Sequence, residues 1–282
     1  MVTWWIYPVL GIGAGILSGL LGVGGGLLLV GALILILPMQ GVPAEIVVQV
    51  ALASSLASIV LTGLSSAWAH QKRGAVLWPS VAWLVPGLIL GAVLASLGVS
   101  KWAGPGLHWA VVAYCVLVAL QLLSQWPKPV ADNHQAVIGW PWAALGVLIG
   151  AVSSVVGIGG GSMTVPALIL RGVPAVKAVA TSAVCGVFIA LASAITYSQI
   201  STPLSMPDYS RGFVYLPAAL GVASASVLFA PLGARWAHQL PAQSLKRIFA
   251  VFLLLMAVLL ARLMCCTRLA RITDSILRNS DG

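Results

Sequence analysis

Two glycine clusters stand inside apolar runs: Gly22, Gly24, Gly25 and Gly26, and then Gly157, Gly159, Gly160 and Gly161. Glycine brings no functional group, but its backbone amide is a donor, and a run of glycines invites a helix to unwind. Each glycine in a helix interior costs roughly 1 kcal/mol relative to alanine. A helix broken there exposes N–H groups, and the half-helix that follows aims its positive end at the same point. An anion can bind such a place without lysine or arginine. Hydroxyls lie close by in sequence: Ser18, Ser153, Ser154, Ser162 and Thr164. A dinucleotide loop is excluded, because Leu27 and Ser162 occupy the third-glycine position of G-x-G-x-x-G and no strand precedes either cluster. Helix packing is the competing explanation. Gly11, Gly15 and Gly19 form a GxxxG series, as do Gly22 with Gly26 and Gly157 with Gly161, and small residues let helices approach closely in lipid. Packing covers part of the glycine content but not three consecutive glycines twice.

Further along each half comes a second polar pair, Ser54 with Ser55 and Thr181 with Ser182. These hydroxyls either return a hydrogen bond to the carbonyl four residues back, a common fate in apolar helices, or line the same cavity as the glycines. The expected substrate-binding set is therefore Gly22, Gly24, Gly25, Gly26, Ser54, Ser55, Ser153, Ser154, Gly157, Gly159, Gly160, Gly161, Ser162, Thr164, Thr181 and Ser182. No catalytic residue, metal site or cofactor is expected. Cys115, Cys185, Cys265 and Cys266 form no C-x-x-C pair, which leaves them as small hydrophobes.

The elements that must carry these residues follow from composition. Of 282 residues, 60% are apolar and 7% charged, against about 25% charged in an ordinary soluble domain. Mean hydropathy is +1.07. A soluble enzyme, a secreted disulfide scaffold and a disordered chain are excluded. The expected fold class is an all-α polytopic membrane protein, since open backbone cannot be satisfied at membrane depth. Eight hydrophobic segments lie near 9–37, 46–69, 77–98, 107–124, 140–170, 178–198, 213–233 and 247–266. Aromatic residues flank many of them, among them Trp68, Trp78, Trp140, Trp142, Tyr215 and Trp236. The N-terminus carries neither a basic region nor a small-residue cleavage site, so it reads as the mature start.

The halves repeat. Residues 11–35 and 146–170 align without gaps, sharing GxGGG in register with a final Ala-Leu-Ile-Leu. Gly-Val-Pro-Ala follows at 41–44 and 172–175, and Arg73-Gly74 resembles Arg211-Gly212. The organisation expected is a four-segment repeat over 1–124, a loop at 125–139, a second four-segment repeat over 140–266 and a basic tail at 267–282.

These residues resemble the sulfite exporter TauE/SafE family of membrane transporters. The resemblance rests on the duplicated glycine motifs, the Gly-Val-Pro after each, Ala180-Thr181-Ser182 and His70-Gln-Lys-Arg73-Gly74, and it covers about residues 9 to 262. It implies transport of small sulfur-containing or organic anions such as sulfite, sulfonates or thiosulfate, often by export. The sequence departs from its own duplication where Gly31 stands opposite Pro166, and Ser54-Ser55 replaces the Thr-Ser pair.

Charge distinguishes two topologies. Net charge is +9, from 14 Lys and Arg and 5 Asp and Glu, and almost none of it lies within the segments. If all eight segments cross, the loop cations divide 4 against 6. If the glycine segments 9–37 and 140–170 re-enter, the repeats are inverted and the loop cations divide 8 against 2, a clear positive-inside bias. The inverted arrangement is the expectation, although it leaves the basic tail on the poorer side. The expected location is a bacterial inner membrane. The expected partners are a small anionic substrate and the bilayer, not nucleic acid, and a homodimer is compatible with the sequence. Two rivals are a membrane enzyme and a non-transporting scaffold. A serine protease needs a histidine on a facing helix, yet His70, His108, His134 and His238 all fall at segment edges or in loops.

Overall fold

A computed structural model of the chain describes residues 4–22, 25–101, 105–124, 137–202, 204–237, 239, 243, 247, 250–251 and 253–262. The loop residues 125–136 and the tail 263–282, with Cys265 and Cys266, lie outside the described residues, as does Gly24. Among the described residues the regular elements are helices, apart from a two-residue ladder, β1 (Ser210–Arg211) with β2 (Val214–Tyr215), that closes the turn at Gly212. The helices are α1 (Ile6–Leu21), α2 (Gly26–Ile36), α3 (Val47–Gln71), α4 (Trp78–Lys101), α5 (Pro105–Leu123), α6 (Trp140–Val156), α7 (Gly161–Leu170), α8 (Ala175–Gln199), α9 (Leu216–Ala237) and α10 (Leu253–Arg262). Four of them, α3, α4, α8 and α9, are long and apolar enough to cross a membrane, and the rest are shorter apolar helices.

Each glycine cluster divides its apolar segment into two helices. Gly22 ends α1 in the left-handed region (φ 66°), and its N–H bonds to the Ser18 carbonyl. Gly157 ends α6 in the same way (φ 75°), bonding to the Ser153 carbonyl. Gly25 (φ 65°) and Gly160 (φ 74°) then start α2 and α7 from left-handed conformations. A side chain disfavours that region by roughly 1–2 kcal/mol, so these positions require glycine. Left-handed glycines recur in pairs further on, Gly41 with Gly172 and Gly74 with Gly212.

After each break the chain turns back. A Cβ on Gly25 would strike the backbone of Ala14, about two helical turns up α1, and one on Gly160 would face the Ile149 side chain at the matching position of α6. At the far end of α7 the Arg171 guanidinium lies 5.7 Å from the ring centroid of Trp142, which opens α6. Thus α6–α7 leaves at the end where it entered. Trp142, which the sequence placed among flanking aromatics, is buried in a hydrophobic cluster with Val81, Leu84 and Leu88 of α4; Trp68, Trp78, Trp140 and Trp236 are exposed.

Packing crosses between the halves. Helix α1 lies along α9, and α6 along α4, while α3 and α8 pack together at the centre. Backbone contact makes the first two pairs close. A Cβ on Gly11, Gly15 or Gly19 would meet the α9 backbone at Val222, Ser226 and Ala230. On the other side Gly146 and Gly150 press on Leu84 and Leu88, and Gly87 and Gly91 on Ala143 and Val147. Small residues here serve packing, as the GxxxG series implies. Replacing Gly15 with Leu would overpack the α1–α9 contact, which typically costs about 1–3 kcal/mol, and lower the Tm measured in detergent. Gly98→Ala on α4, where a Cβ meets nothing within 4 Å, is expected to leave the Tm unchanged or slightly raised.

Candidate functional site

The ends of the broken helices present carbonyls, and hydroxyls from the central helices reach them. Ser182 of α8 donates to the Gly22 carbonyl at 3.0 Å. Ser55 of α3 reaches the Gly157 carbonyl at 3.3 Å and the Gly26 carbonyl at 3.2 Å, so one proton serves an oxygen from each break. The exchange is reciprocal: each half's second helix holds the break of the other half. Around the end of α1, Ser66 donates to the Ser18 carbonyl at 3.4 Å, and His70 Nε2 donates to the Gly19 carbonyl at 3.1 Å. Around the second break, the Ser153 carbonyl receives the Ile158 N–H at 2.9 Å, and the Gly160 carbonyl receives the Thr164 hydroxyl at 2.9 Å.

Of the two alternatives for the paired hydroxyls, neither describes Ser54 and Thr181. Ser54 accepts the Tyr215 N–H at 2.9 Å, just ahead of α9, and Thr181 accepts the Leu77 N–H at 3.1 Å, just ahead of α4. Both cap the start of a helix in the opposite half. Ser55 and Ser182 turn to the breaks instead of to their own helices. Thr164 is the hydroxyl that bonds four residues back.

The two breaks meet. A Cβ on Gly26 would strike the Gly157 carbonyl, and one on Gly157 would meet Leu52 and Val30. Between the breaks lies a narrow cleft, nowhere wide enough for a water molecule. It is lined by Ser18 and Gly22 from α1, Ile59 and Gly63 from α3, Gly159 from the second break, and Ala183 and Gly186 from α8. Of the expected binding residues, Gly22 and Gly159 line it. Gly26, Ser55, Gly157 and Ser182 stand around it through the bonds above. Ser154 is drawn away, bonded to Ser96 at 2.6 Å and Ser193 at 3.0 Å, and Ser162 bonds to Tyr114.

Two hydroxyls at the helix ends stand apart. Ser18 and Ser153 occupy matching positions one turn before Gly22 and Gly157, are 1% and 0% exposed, and have no hydrogen-bond partner among the described residues. The set read from sequence included Ser153 and passed over Ser18, though Ser18 is the one on the cleft. It also passed over Gly186, where a Cβ would strike the Gly159 carbonyl, and Gly63. The signal was available as helical spacing: Gly186 lies one turn after Ser182, and Gly63 two turns after Ser55. His70 requires a correction. It does end α3, but it is fully buried, so a buried histidine exists where the sequence offered none.

Among the described residues, buried polar side chains are Ser, Thr, Gln49 and His70, with no Asp, Glu, Lys or Arg. No cluster that could hold a metal occurs among them. Cys115 and Cys185 are buried and free.

A family model described as sulfite exporter TauE/SafE matches residues 7–260. A protein of Haemophilus influenzae named "Probable membrane transporter protein" is 35% identical over 252 residues, 87% of this chain and 93% of that relative. Bacillus subtilis YunE, named in the same way, is 31% identical over 219 residues, 68% of this chain and 76% of its own length. A further relative of that name, from Methanocaldococcus jannaschii, is 26% identical over 227 residues, covering 80% of this chain and 83% of itself. No solved structure matches.

Removing the Ser55 hydroxyl strands the buried Gly157 carbonyl and takes a second bond from that of Gly26. An unsatisfied buried acceptor costs about 1–3 kcal/mol, so Ser55→Ala is expected to lower the Tm in detergent more than Ser65→Ala, whose part-buried hydroxyl serves only the Val227 carbonyl. Equal shifts would contradict the bridging role.

Proposed function

The chain belongs to the sulfite exporter TauE/SafE family of membrane transporters, and from that premise we propose that it carries a small sulfur-containing anion of the sulfite, sulfonate or thiosulfate type across a bacterial inner membrane. The observation that carries the anion reading is the state of the carbonyls at the two breaks. Those of Ser18, Gly19, Gly22, Gly26, Ser153, Gly157 and Gly160 all accept hydrogen bonds from within the protein. Those seven carbonyls are thereby engaged. The breaks also offer a ligand donors: the N–H groups that open α2 ahead of Leu29 and α7 ahead of Met163, which have no acceptor inside their own helices, and the positive ends of those helices. A cation would find no buried carboxylate among the described residues.

In this reading Gly22, Gly24, Gly25, Gly26, Gly157, Gly159, Gly160 and Gly161 form the backbone cradle. Ser55 and Ser182 hold it in shape from the central helices. The cleft between the breaks is closed to water, so an ion enters only when the two breaks separate. Alternating access follows if each half swings on its break, opening the cleft to one side at a time. The reciprocal hydroxyl contacts support two inverted repeats, as do the turn back at Gly25 and Gly160 and the return of α7 to the end where α6 began. Under that arrangement the cation-rich loops, with Lys72, Arg73, Arg171, Lys177 and Arg235, share one side. An anion moving outward is favoured by an inside-negative potential, by about 2.3 kcal/mol per charge per 100 mV, so export needs no coupling ion.

Flux of sulfite in proteoliposomes tests the function. Gly25→Leu and Gly160→Leu, which put a side chain on a left-handed residue, are expected to abolish it while the protein still reaches the membrane. Gly186→Ala, a milder push on the Gly159 carbonyl, is expected to reduce it; undiminished flux in all three variants would reject the glycine site. Topology has a separate check. Tags within 125–139 and within 171–177 are expected to be accessible from the same side of the membrane, and labelling from opposite sides would refute the inverted arrangement.

A further inference from the structure

The proposed anion site has a feature that separates one class of sulfur anion from another. The cleft offers one side-chain donor, the orphaned hydroxyl of Ser18, beside the Gly22 helix end and the Gly159 backbone. No lysine or arginine among the described residues is buried anywhere in the molecule. The titratable groups on the elements around the cleft are few: Tyr7 on α1, His70 on α3, and Lys177, Cys185 and Tyr197 on α8, while α2, α6 and α7 carry none. Lys177 is only partly buried, two residues before the Val179 carbonyl that packs on Gly22. His70 is committed to the Gly19 carbonyl.

The cost of taking an ion out of water rises with the square of its charge, and an unpaired charge in a low-dielectric interior is repaid only by hydrogen bonds and dipoles. Amides, one hydroxyl and two half-helix ends can offset the loss for a single, delocalised charge. For two charges the loss is four times larger, and no countercharge is present to meet it. Resting on the transporter reading above, we propose that the site takes monoanions, with Ser18 donating a hydrogen bond to an oxygen of the ion. Sulfite is then carried as hydrogensulfite, and alkyl sulfonates are substrates. Sulfate, thiosulfate and sulfite in its doubly ionised form are excluded. Ser18, at the last turn of α1 and fully buried without a partner among the described residues, is the side chain that reads an oxygen of the ion.

The test compares anions in proteoliposomes holding the full chain. Methanesulfonate keeps one charge at every working pH, whereas sulfite gains its second charge as buffer passes from mildly acid to mildly alkaline. The expected result is methanesulfonate flux that does not change with pH, sulfite flux that falls about tenfold over that range, and no flux of sulfate or thiosulfate. Methanesulfonate also controls for titration of the protein itself: a fall in both fluxes would assign the pH effect to a protein group such as His70 and overturn the inference. Ser18→Ala is expected to raise KM for both monoanions, and Ser18→Thr, which keeps the hydroxyl, to restore it in part. An unchanged KM in Ser18→Ala overturns the role of Ser18; should that variant not fold, the anion series on the unaltered protein decides. Equal flux of sulfate and methanesulfonate would overturn this inference and leave the anion transporter standing. No flux of any of these anions would overturn both.

Discussion

A helix interrupted inside an apolar bundle exposes carbonyls and amides that no water or lipid can satisfy. The rest of this structure depends on how that exposure is met at residues 22–26 and 157–161. Unmet, each buried acceptor costs about 1–3 kcal/mol, and two breaks would exceed what a marginally stable fold tolerates. Ser55 and Ser182 meet the carbonyl side from the central helices α3 and α8. The glycines meet the steric side, since the left-handed turns at Gly22, Gly25, Gly157 and Gly160 accept no side chain without strain. The amide side is what the arrangement leaves to a ligand.

The same contacts tie the two halves of the chain together. Ser54 and Thr181 cap α9 and α4 across the halves. The glycine faces of α1 and α6 lie on α9 and α4, again across the halves. Neither half encloses a core of its own; the principal packing of each is against the other. A displacement at one break is therefore felt by the helix that holds the other, through Ser55 and through the Gly159–Gly186 contact. That linkage is the physical basis for reading the cleft as a two-sided site instead of a static pore.

Much of this was legible in the sequence, for reasons that can be named. A run of glycines invites a helix to unwind, and the apolar segments are divided between Leu21 and Gly26 and between Val156 and Gly161. The membrane class followed from 7% charged residues, and four helices are long and apolar enough to span. The spacing of Gly11, Gly15 and Gly19 pointed to close helix contact, which α9 supplies. What stayed hidden depends on which face of a helix turns toward which neighbour. Ser54 and Ser55 are adjacent in sequence and point to different partners, one to the start of α9 and one to both breaks. Ser18 looked like one hydroxyl among several, and what singles it out is its place on the cleft, buried and without a partner among the described residues. Gly186 looked like one glycine among 30. His70 ends its helix in the sequence, but α1 and α9 converge there and bury it.

The central claim is that an anion binds between the two glycine breaks. Selenite is the selenium counterpart of sulfite, and its anomalous scattering locates it directly in crystals of the protein. The account predicts a selenium peak between the breaks, within hydrogen-bond reach of the Ser18 hydroxyl and beside Gly159. A peak confined to the exposed cations Lys72, Arg73 or Arg171, with none between the breaks, would contradict it.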